Sequence, residues 1–114
     1  MPPSVKPGAT QRMIVEYIRY RVPAADAAGF EHDYLTAAAH LAASPYCLGY
    51  ELTRCVDEAG VYILRIRWTS AVDHMQGFRH SAQFPPFFAA IRPYVDRIEE
   101  MRHYEMTAVT SEAT

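Results

Sequence analysis

The 114-residue sequence lacks the features that mark several large classes of protein. No apolar run approaches the roughly 18 residues of a membrane span, and residues 1–12 contain no hydrophobic segment of a signal peptide. The net charge is −2 and no basic stripe is present, which argues against a nucleic-acid-binding protein. A P-loop, a nucleophile elbow, a CxxC pair and a dinucleotide fingerprint are also missing. These absences predict a cytoplasmic protein outside the enzyme classes that depend on those motifs.

Cysteine is scarce, with only Cys47 and Cys55 in the chain. Both fall in one predicted strand, where eight residues of extended chain separate them by about 26 Å. A disulfide needs Cα atoms within about 7 Å of each other, and this spacing is not that of a zinc-binding pair either. The sequence therefore predicts two free thiols.

The composition is that of one ordinary globular domain, since half of the residues are hydrophobic and 21% are charged. Residues 1–11 contain three prolines, a glycine and a serine without periodicity, which predicts a flexible arm. The domain itself is expected over residues 12–107, and residues 108–114 are expected to form a flexible tail.

The hydrophobic periodicity predicts seven elements in the order β-α-β-β-α-β, with the second helical region in two pieces. The predicted strands cover residues 12–22, 46–56, 61–68 and 95–106. The predicted helical segments cover residues 24–43, 71–80 and 87–94, and Pro85 and Pro86 are expected to force either a break or the start of a new helix. The last strand alternates poorly, which indicates either a β-bulge or a start as a helix. This order predicts an α+β, ferredoxin-like fold: a four-stranded antiparallel sheet with helices on one face.

The hairpin between the second and third strands suggests a specific register. A three-residue loop over residues 58–60 would end on a left-handed glycine. It would place Tyr50 opposite Trp68 and Glu51 opposite Arg67, so that apolar residues face apolar residues and a carboxylate faces a guanidinium.

The second face of the sheet has no predicted helix to cover it. Its side chains form a mixed surface: Cys47, Gly49, Glu51, Thr53, Val61, Ile63, Arg65 and Arg67. Such a face is commonly buried against a second copy of the chain, so we expect a two-fold homodimer.

The chain is rich in aromatic residues around its only tryptophan, Trp68, which ends the third strand. A pocket for a flat aromatic ligand is expected there, between the sheet and the helices. The residues expected to line it are Tyr34, Tyr50, Leu64, Phe78, Arg79, Phe84 and Phe88. Arg79 is interpreted either as an anchor for a developing oxyanion or a substrate carboxylate, or as an exposed helix residue.

Histidines are the candidate proton acceptors. His74 and His80 are six residues apart, a net rotation of about 240° on a helix, so they point apart and no metal site is predicted. His103 in the last strand is either bonded to a carboxylate across the sheet or a base that lines a cavity. The candidate catalytic residues are therefore His74 and His103 as bases, with Trp68 to stack on the substrate and exclude water.

The segment WTSAVDHMQGFRHSAQFPPFF, followed by EEMRHYE, resembles the antibiotic biosynthesis monooxygenase (ABM) family, a branch of the dimeric α+β barrel superfamily. PYCLGYELTRCVDEAGVYILRIRW resembles the second and third strands of that family, and the resemblance extends over about residues 12–107. It implies a cofactor-independent monooxygenase that acts on aromatic or quinol-type small molecules. It also implies a homodimer that needs no cofactor.

The resemblance to the cofactor-free branch has gaps at the site. Trp68 matches the tryptophan that begins its Trp-x-Ser segment. Leu64 and His74 stand where that branch has an asparagine and a tyrosine. The implied chemistry is ionisation of a phenol or quinol by His74 or His103, followed by electron transfer to O₂ without metal or flavin.

A different branch of the same family degrades haem with a histidine on its second helix as the iron ligand. That position falls near Phe87 or Phe88 here, its tryptophan falls near Gly77, and the first strand has no asparagine. Haem is therefore disfavoured, although His74 or His80 could hold it in another way. The chain also resembles sequences that are encoded near, or joined to, bacterial truncated globins. This resemblance implies the alternative function: a non-catalytic ligand-binding or partner module associated with haem or a truncated globin.

Overall fold

The computed structural model describes residues 13–111, so the arm predicted for residues 1–11 and the end of the predicted tail lie outside the described residues. The helices and strands are β1 (Ile14–Arg21), α1 (Ala24–Ala42), β2 (Cys47–Arg54), β3 (Val61–Trp68), α2 (Phe84–Ile91) and β4 (Ile98–Glu105). The four strands form one antiparallel sheet in the order β2-β3-β1-β4. The α+β, ferredoxin-like fold with helices on one face is confirmed.

Two features of the sequence explain helix α1: its high alanine content and the residues at its amino end. Pro23 precedes its first turn, where Asp26 complements the helix dipole. The residues that α1 buries against the sheet are Phe30, Tyr34, Ala37, Ala38 and Leu41. Leu35, the residue after Tyr34, is 75% exposed because each residue turns the helix by about 100°.

The centre of the core under α1 is a group of aromatic rings around Phe30. This ring makes edge-to-face or tilted contacts with Tyr20, Tyr34, Tyr62 and Tyr94. The hydroxyl groups of Tyr20 and Tyr34 are hydrogen-bonded to each other inside the core. Each buried phenol therefore has a partner, as burial of a polar group requires.

The register of β2 on β3 differs from the prediction by two residues. Tyr50 lies opposite Ile66, and Glu51 lies opposite Arg65. The connection is longer than three residues: the Cys55 amide still bonds the Val61 carbonyl at 2.9 Å, and the turn follows. From Gly49 onward, a shift of two residues keeps each side chain on its predicted face because strands alternate with period two. The expected charge pairing therefore survives, with Glu51 at 2.8 Å from Arg65. An irregularity between Cys47 and Gly49 places Cys47 opposite Trp68, on the helix face.

The turn before β3 confirms the expected left-handed glycine. Gly60 has φ = 86°, a conformation that L side chains rarely adopt. Cys47 and Cys55, on either side of β2, are both free, as predicted.

The segment between β3 and α2 is not the regular helix predicted for residues 71–80. It starts with a side-chain cap, since Ser70 Oγ accepts a hydrogen bond of 3.0 Å from the Asp73 amide. A π-helical turn, Asp73–Gly77, follows and leads into a short 3₁₀ turn, Phe78–His80. A π turn holds one more residue than an α turn. The apolar spacing of so short a segment does not distinguish the two.

Helix α2 begins at Phe84, three residues before the predicted start, so Pro85 and Pro86 mark the start of a new helix, which is one of the two predicted alternatives. Both prolines lie in the first turn, where amide groups have no acceptor within the helix and a proline removes no bond. A 3₁₀ segment, Arg92–Arg97, then takes the place of the predicted end of this helix and of the predicted start of the last strand.

Strand β4 confirms both explanations offered for its irregular pattern. Its predicted beginning is the 3₁₀ segment, and the strand itself starts at Ile98. Its pairing with β1 shifts between Arg19, opposite Glu100, and Tyr20, opposite Ile98. Glu99 is the extra residue of this bulge, and its two carboxylate oxygens bond Arg19 at 2.9 Å and Arg21 at 2.6 Å. The bulge is thus fixed by two ion pairs on the other face of the sheet.

Within residues 13–111, both helices lie on one face of the sheet. The opposite face carries the mixed set of side chains that the sequence predicted, except Cys47, which lies opposite Trp68 and packs against the core. The homodimer through this face stays a prediction. Among the described residues, no helix is long and apolar enough to cross a membrane.

Candidate active site

The group that organises the site is Glu16, which the sequence analysis did not single out. It lies on β1 between Ile14 and Ile18 and faces the helices, where it is only 3% exposed. Its Oε1 accepts a hydrogen bond of 3.0 Å from Trp68 Nε1. A carboxyl group in such surroundings is costly unless it has partners, so its neighbours define the site.

His74 is the first of these neighbours. The π turn carries its ring into the core, where the residue is 4% exposed. The ring stacks on Trp68 with centroids 4.5 Å apart and an interplanar angle of 19°. Its Nε2 lies 3.4 Å from Glu16 Oε1, which is longer than a normal hydrogen bond. Two contacts from β1 and β3 therefore fix the position of one imidazole.

His103 extends the group towards solvent. It lies on β4 opposite Glu16, and its Nε2 is 2.9 Å from His74 Nδ1. Its side chain is 34% exposed and its Nε2 is 3.9 Å from Glu16 Oε2. The structure combines parts of the two interpretations of His103. Its side chain faces the Glu16 carboxylate across the sheet, and it contacts His74, which lines a cavity.

Burial favours the uncharged form of all three groups. It raises the pKa of Glu16, against the opposing effects of the Trp68 hydrogen bond and the Arg79 charge. Burial, followed by the charges of His103 and Arg79, lowers the pKa of His74 to about 3. Burial and then Arg79 also lower the pKa of His103. Both imidazoles are therefore neutral at physiological pH and have a lone pair to accept a proton or bind a metal ion.

An aromatic cavity of about 130 Å³ opens beside this group. Six of the ten predicted site residues line it: Trp68, His74, Phe78, Arg79, Phe84 and Phe88. Glu16 lines it as well. Arg79 is exposed and Phe88 is 38% exposed, so these two residues stand at its mouth. The cavity expected between Trp68 and the aromatic segment is present.

The remaining predicted pocket residues lie elsewhere. Tyr34, Tyr50 and Leu64 line a second cavity of about 360 Å³ between α1 and the edge of the sheet. Leu64 shares a face with Trp68, but α1 covers its end of β3, whereas the π turn and α2 cover the other end. Sequence patterns predict the face of a strand and do not predict which helix covers each end. We call the two spaces the aromatic cavity and the helix 1 cavity.

The signal for Glu16 was present in the sequence. Ile14, Ile18 and Tyr20 form one row of β1, and Glu16 falls in this apolar row, while Arg19 and Arg21 lie in the other. An acidic residue in a buried row is rare unless it is paired. Its partners come from distant parts of the chain, which is why its role did not emerge from motif spacing.

The comparisons with known proteins agree with this architecture. The model of the antibiotic biosynthesis monooxygenase family matches residues 13–90, more than half of the chain. The chain belongs to this family. The predicted ABM resemblance is thereby confirmed. Glu16, Trp68 and His74 lie inside the matched segment, while His103 lies beyond it.

Solved structures support the same assignment. A Caulobacter crescentus structure with the same family description is 31% identical, covers 89% of this chain and 93% of its own, and has a TM-score of 0.66. One from Bordetella bronchiseptica is 25% identical, with 88% and 100% coverage and a TM-score of 0.68. SnoaB, a cofactor-independent oxygenase from Streptomyces nogalater, is 24% identical with a TM-score of 0.65 over 88% of this chain and 96% of its own. At that identity, the likeness to SnoaB shows the fold.

Among curated proteins, the uncharacterised protein YczJ of Bacillus subtilis is 24% identical over 76 residues. The match covers 67% of this chain and 80% of YczJ. ABM members therefore share the scaffold, and the chemistry of this one has to be argued from its own site.

Proposed function

We propose that this ABM protein is a cofactor-independent monooxygenase that acts on an electron-rich phenol or quinol. The observation that carries the proposal is one imidazole: His74 is buried, stacked on Trp68, placed beside Glu16, and it lines the aromatic cavity. Family membership supports the reaction class, and the lining of the cavity supports an aromatic substrate.

His74 is the proposed base. With the proton of the His74–His103 hydrogen bond on Nδ1, the lone pair on Nε2 can accept the phenolic proton of a bound substrate. Glu16, 3.4 Å from that nitrogen, would stabilise the imidazolium that forms. The Nδ1 proton can then pass to His103, which is partly exposed and can release it to water.

The substrate supplies all the electrons. Ionisation of the phenol makes its ring a reductant that can pass one electron to O₂, and the two radicals then combine at a ring or benzylic carbon. For a CH₂ group activated in this way, loss of water from the hydroperoxide gives R₂CH₂ + O₂ → R₂C=O + H₂O. Four electrons leave the substrate and O₂ accepts four, so no flavin, haem or nicotinamide is required.

The size of the aromatic cavity limits what it encloses. Its 130 Å³ is close to the roughly 150 Å³ of an engineered apolar cavity that binds benzene. One ring therefore fits inside, against Trp68, and the rest of a larger substrate would lie at the mouth. Arg79 stands there and can hold a phenolate oxygen or a substrate carboxylate. A space of this size leaves no room for a haem macrocycle.

Oxygen uptake by the purified protein tests the proposal. Single-ring, two-ring and three-ring quinols and anthrones are supplied without any cofactor. We expect uptake of one O₂ per substrate, loss of that uptake in His74→Ala, and normal uptake in the matched variant His80→Ala. If no compound is consumed and the protein instead retains haem or a truncated globin on a column, the non-catalytic binding module is the better account.

The homodimer is part of the same proposal. Tyr17 and Tyr104 pack edge-to-face on the helix-free side of the sheet and are 36% and 48% exposed. Beside them Arg65 and Glu51 form an ion pair, so the face offers apolar area and both signs of charge to a second copy. We expect a dimer by light scattering, with Ile63→Glu monomeric and the loop variant Val56→Glu still dimeric.

A further inference from the structure

We propose that Glu16, His74 and His103 form a binding site for one divalent transition-metal ion of the Zn²⁺ class, and that this ion inhibits the protein. The inhibition rests on the proposed function, because it assumes that His74 is the base. The binding does not depend on it. No metal site was predicted from the sequence, because only histidines close together in the chain were compared. Glu16, His74 and His103 lie on three different elements and meet only in the fold.

The geometry that points to a metal ion is the convergence of three donors. One ligand atom from each of Glu16, His74 and His103 lies within 4.8 Å of the other two. His74 Nδ1 and His103 Nε2 are 2.9 Å apart, and His103 Nε2 and Glu16 Oε2 are 3.9 Å apart. Ligands bound at roughly 2.0–2.2 Å are separated by about 3 to 3.5 Å. Small rotations of the two rings and the carboxylate therefore suffice to bind one ion.

The surroundings orient the carboxylate for this role. Trp68 donates its hydrogen bond to Oε1 of Glu16 and leaves Oε2 directed towards His103. A hydrogen bond that holds a ligand from behind is typical of metal sites and contributes to their affinity. Within residues 13–111, the groups found at ion-pair distance from Glu16 are the two imidazoles. The charge of Arg79 also acts on Glu16, but from beyond ion-pair distance, so a bound cation would supply a positive charge in direct contact with this buried carboxylate.

The donor set selects the class of ion. Two imidazole nitrogens and one carboxylate oxygen suit Zn²⁺, Co²⁺, Fe²⁺ and Ni²⁺, whereas Mg²⁺ and Ca²⁺ prefer oxygen ligands. A metal ion would use the lone pair of a His74 nitrogen and hold the site in its unprotonated form. His74 could then no longer accept a proton from the substrate. Oxygen uptake should be highest after treatment with a chelator and should fall when Zn²⁺ is added.

Trp68 offers a direct readout of binding because it is the only tryptophan and touches both Glu16 and His74. Chelator-treated full-length protein is titrated with Co²⁺, which quenches nearby indole fluorescence. We expect saturable quenching at one Co²⁺ per chain, reversal by excess Zn²⁺, and no response to Mg²⁺. Isothermal titration with Zn²⁺ provides the stoichiometry independently.

Three variants decide the site. His103→Ala, whose side chain is partly exposed, and the isosteric Glu16→Gln should each weaken Co²⁺ binding by about tenfold or more. His80→Ala removes an exposed histidine from the same segment as His74 and should bind Co²⁺ as the wild type does. Unchanged affinity in His103→Ala, an equal loss in His80→Ala, or no binding near one ion per chain would overturn the site.

The two proposals can fail separately. Co²⁺ binding that follows the expected variants, in a protein that oxygenates no compound, would keep the metal site and remove the monooxygenase function. Oxygen uptake that requires His74 but is indifferent to Zn²⁺ would keep the function and remove the inhibitory ion.

Discussion

Two glutamates contact opposite ends of β3, and they differ in burial, in hydrogen-bond partners and in the direction of their pKa shifts. Glu31 on α1 accepts hydrogen bonds from Tyr62 at 2.6 Å and from two nitrogens of Arg54 at 2.7 and 3.1 Å. The Tyr62 bond, followed by the Arg54 bond, lowers its pKa. Glu16, beside Trp68, has one such bond and a raised pKa because it is buried.

The comparison extends to the cavities beside these two groups. The helix 1 cavity is the larger, yet the carboxylate at its rim is already satisfied by an arginine and a tyrosine. The aromatic cavity is smaller, and its carboxylate faces two neutral imidazoles. Cavity size alone would thus select the other end of the molecule. Incompletely compensated buried groups are the better sign of a reactive site.

The largest expected effect is at His74. His74→Ala should lower kcat/KM for oxygen uptake by about a hundredfold or more, because a positioned base contributes at least that much. His103→Ala should lower it less, since water can replace a proton acceptor at the surface. Steady-state oxygen consumption measures both. If neither substitution reduces activity, the assignment of the base is wrong.

The two glutamates should respond in opposite ways to the same substitution. Glu16→Gln should lower kcat by about tenfold or more without raising KM, because glutamine cannot take on the negative charge that stabilises the imidazolium when it forms. Its unfolding free energy should not fall, since burial already disfavours the charged form.

The matched change, Glu31→Gln, should leave kcat unaltered and lower the unfolding free energy by about 1 kcal/mol, the value for a partly exposed charged network. Urea denaturation and steady-state kinetics on both variants provide the comparison. A loss of stability in Glu16→Gln with unchanged kcat would make Glu16 a structural group.

The space beside two glycines shows how tightly the π turn and α1 pack against the rest of the molecule. A Cβ on Gly77, in the π turn, would lie 2.8 Å from the Tyr46 ring, whereas a Cβ on Gly29 in α1 would lie 3.9 Å from its nearest neighbour. Gly77→Ala should therefore destabilise the protein by about 1–3 kcal/mol and disturb the position of His74. Gly29→Ala should stabilise it by about 0.5–1 kcal/mol. Thermal unfolding of both variants tests this, and a stabilised Gly77→Ala would contradict the close packing of the π turn.

The smallest expected effect is a change in how strongly low pH destabilises the protein. The pKa of Glu31 is lowered from about 4.5, so its contribution to stability is complete above that pH and is lost as the pH falls through the lowered value. Glu31→Gln should remove this part of the acid sensitivity. The difference in urea midpoint between pH 7 and pH 3 should be smaller in the variant than in the wild type. An equal difference in the two proteins would show that the network does not stabilise the fold.

Much of the scaffold follows from patterns that are local in the sequence. Alternation along β3 and the alanine-rich period of α1 are enough to predict the order of elements, the open face and the position of Trp68. The β2–β3 register was missed because it depends on the length of the turn before Gly60. The same limit applies to Pro85 and Pro86, whose effect depends on whether they fall in the first turn of a helix or beyond it.

The site was only half predictable for a related reason. His74 and the phenylalanines could be found because they follow Trp68 closely in the chain. Glu16 and His103 join them through pairing of β1 with β4, and no motif spacing records that contact. The division of the predicted pocket into two cavities depends on which helix covers each end of β3, which is again a tertiary property.

The role of His74 as the base is tested by oxygen uptake of chelator-treated protein with a single-ring quinol and no added cofactor, compared between the wild type, His74→Ala and His80→Ala. We expect consumption of one O₂ per substrate in the wild type and in His80→Ala, and none above background in His74→Ala. Uptake that is the same in all three proteins, or absent from the wild type with every phenol and quinol supplied, would contradict it.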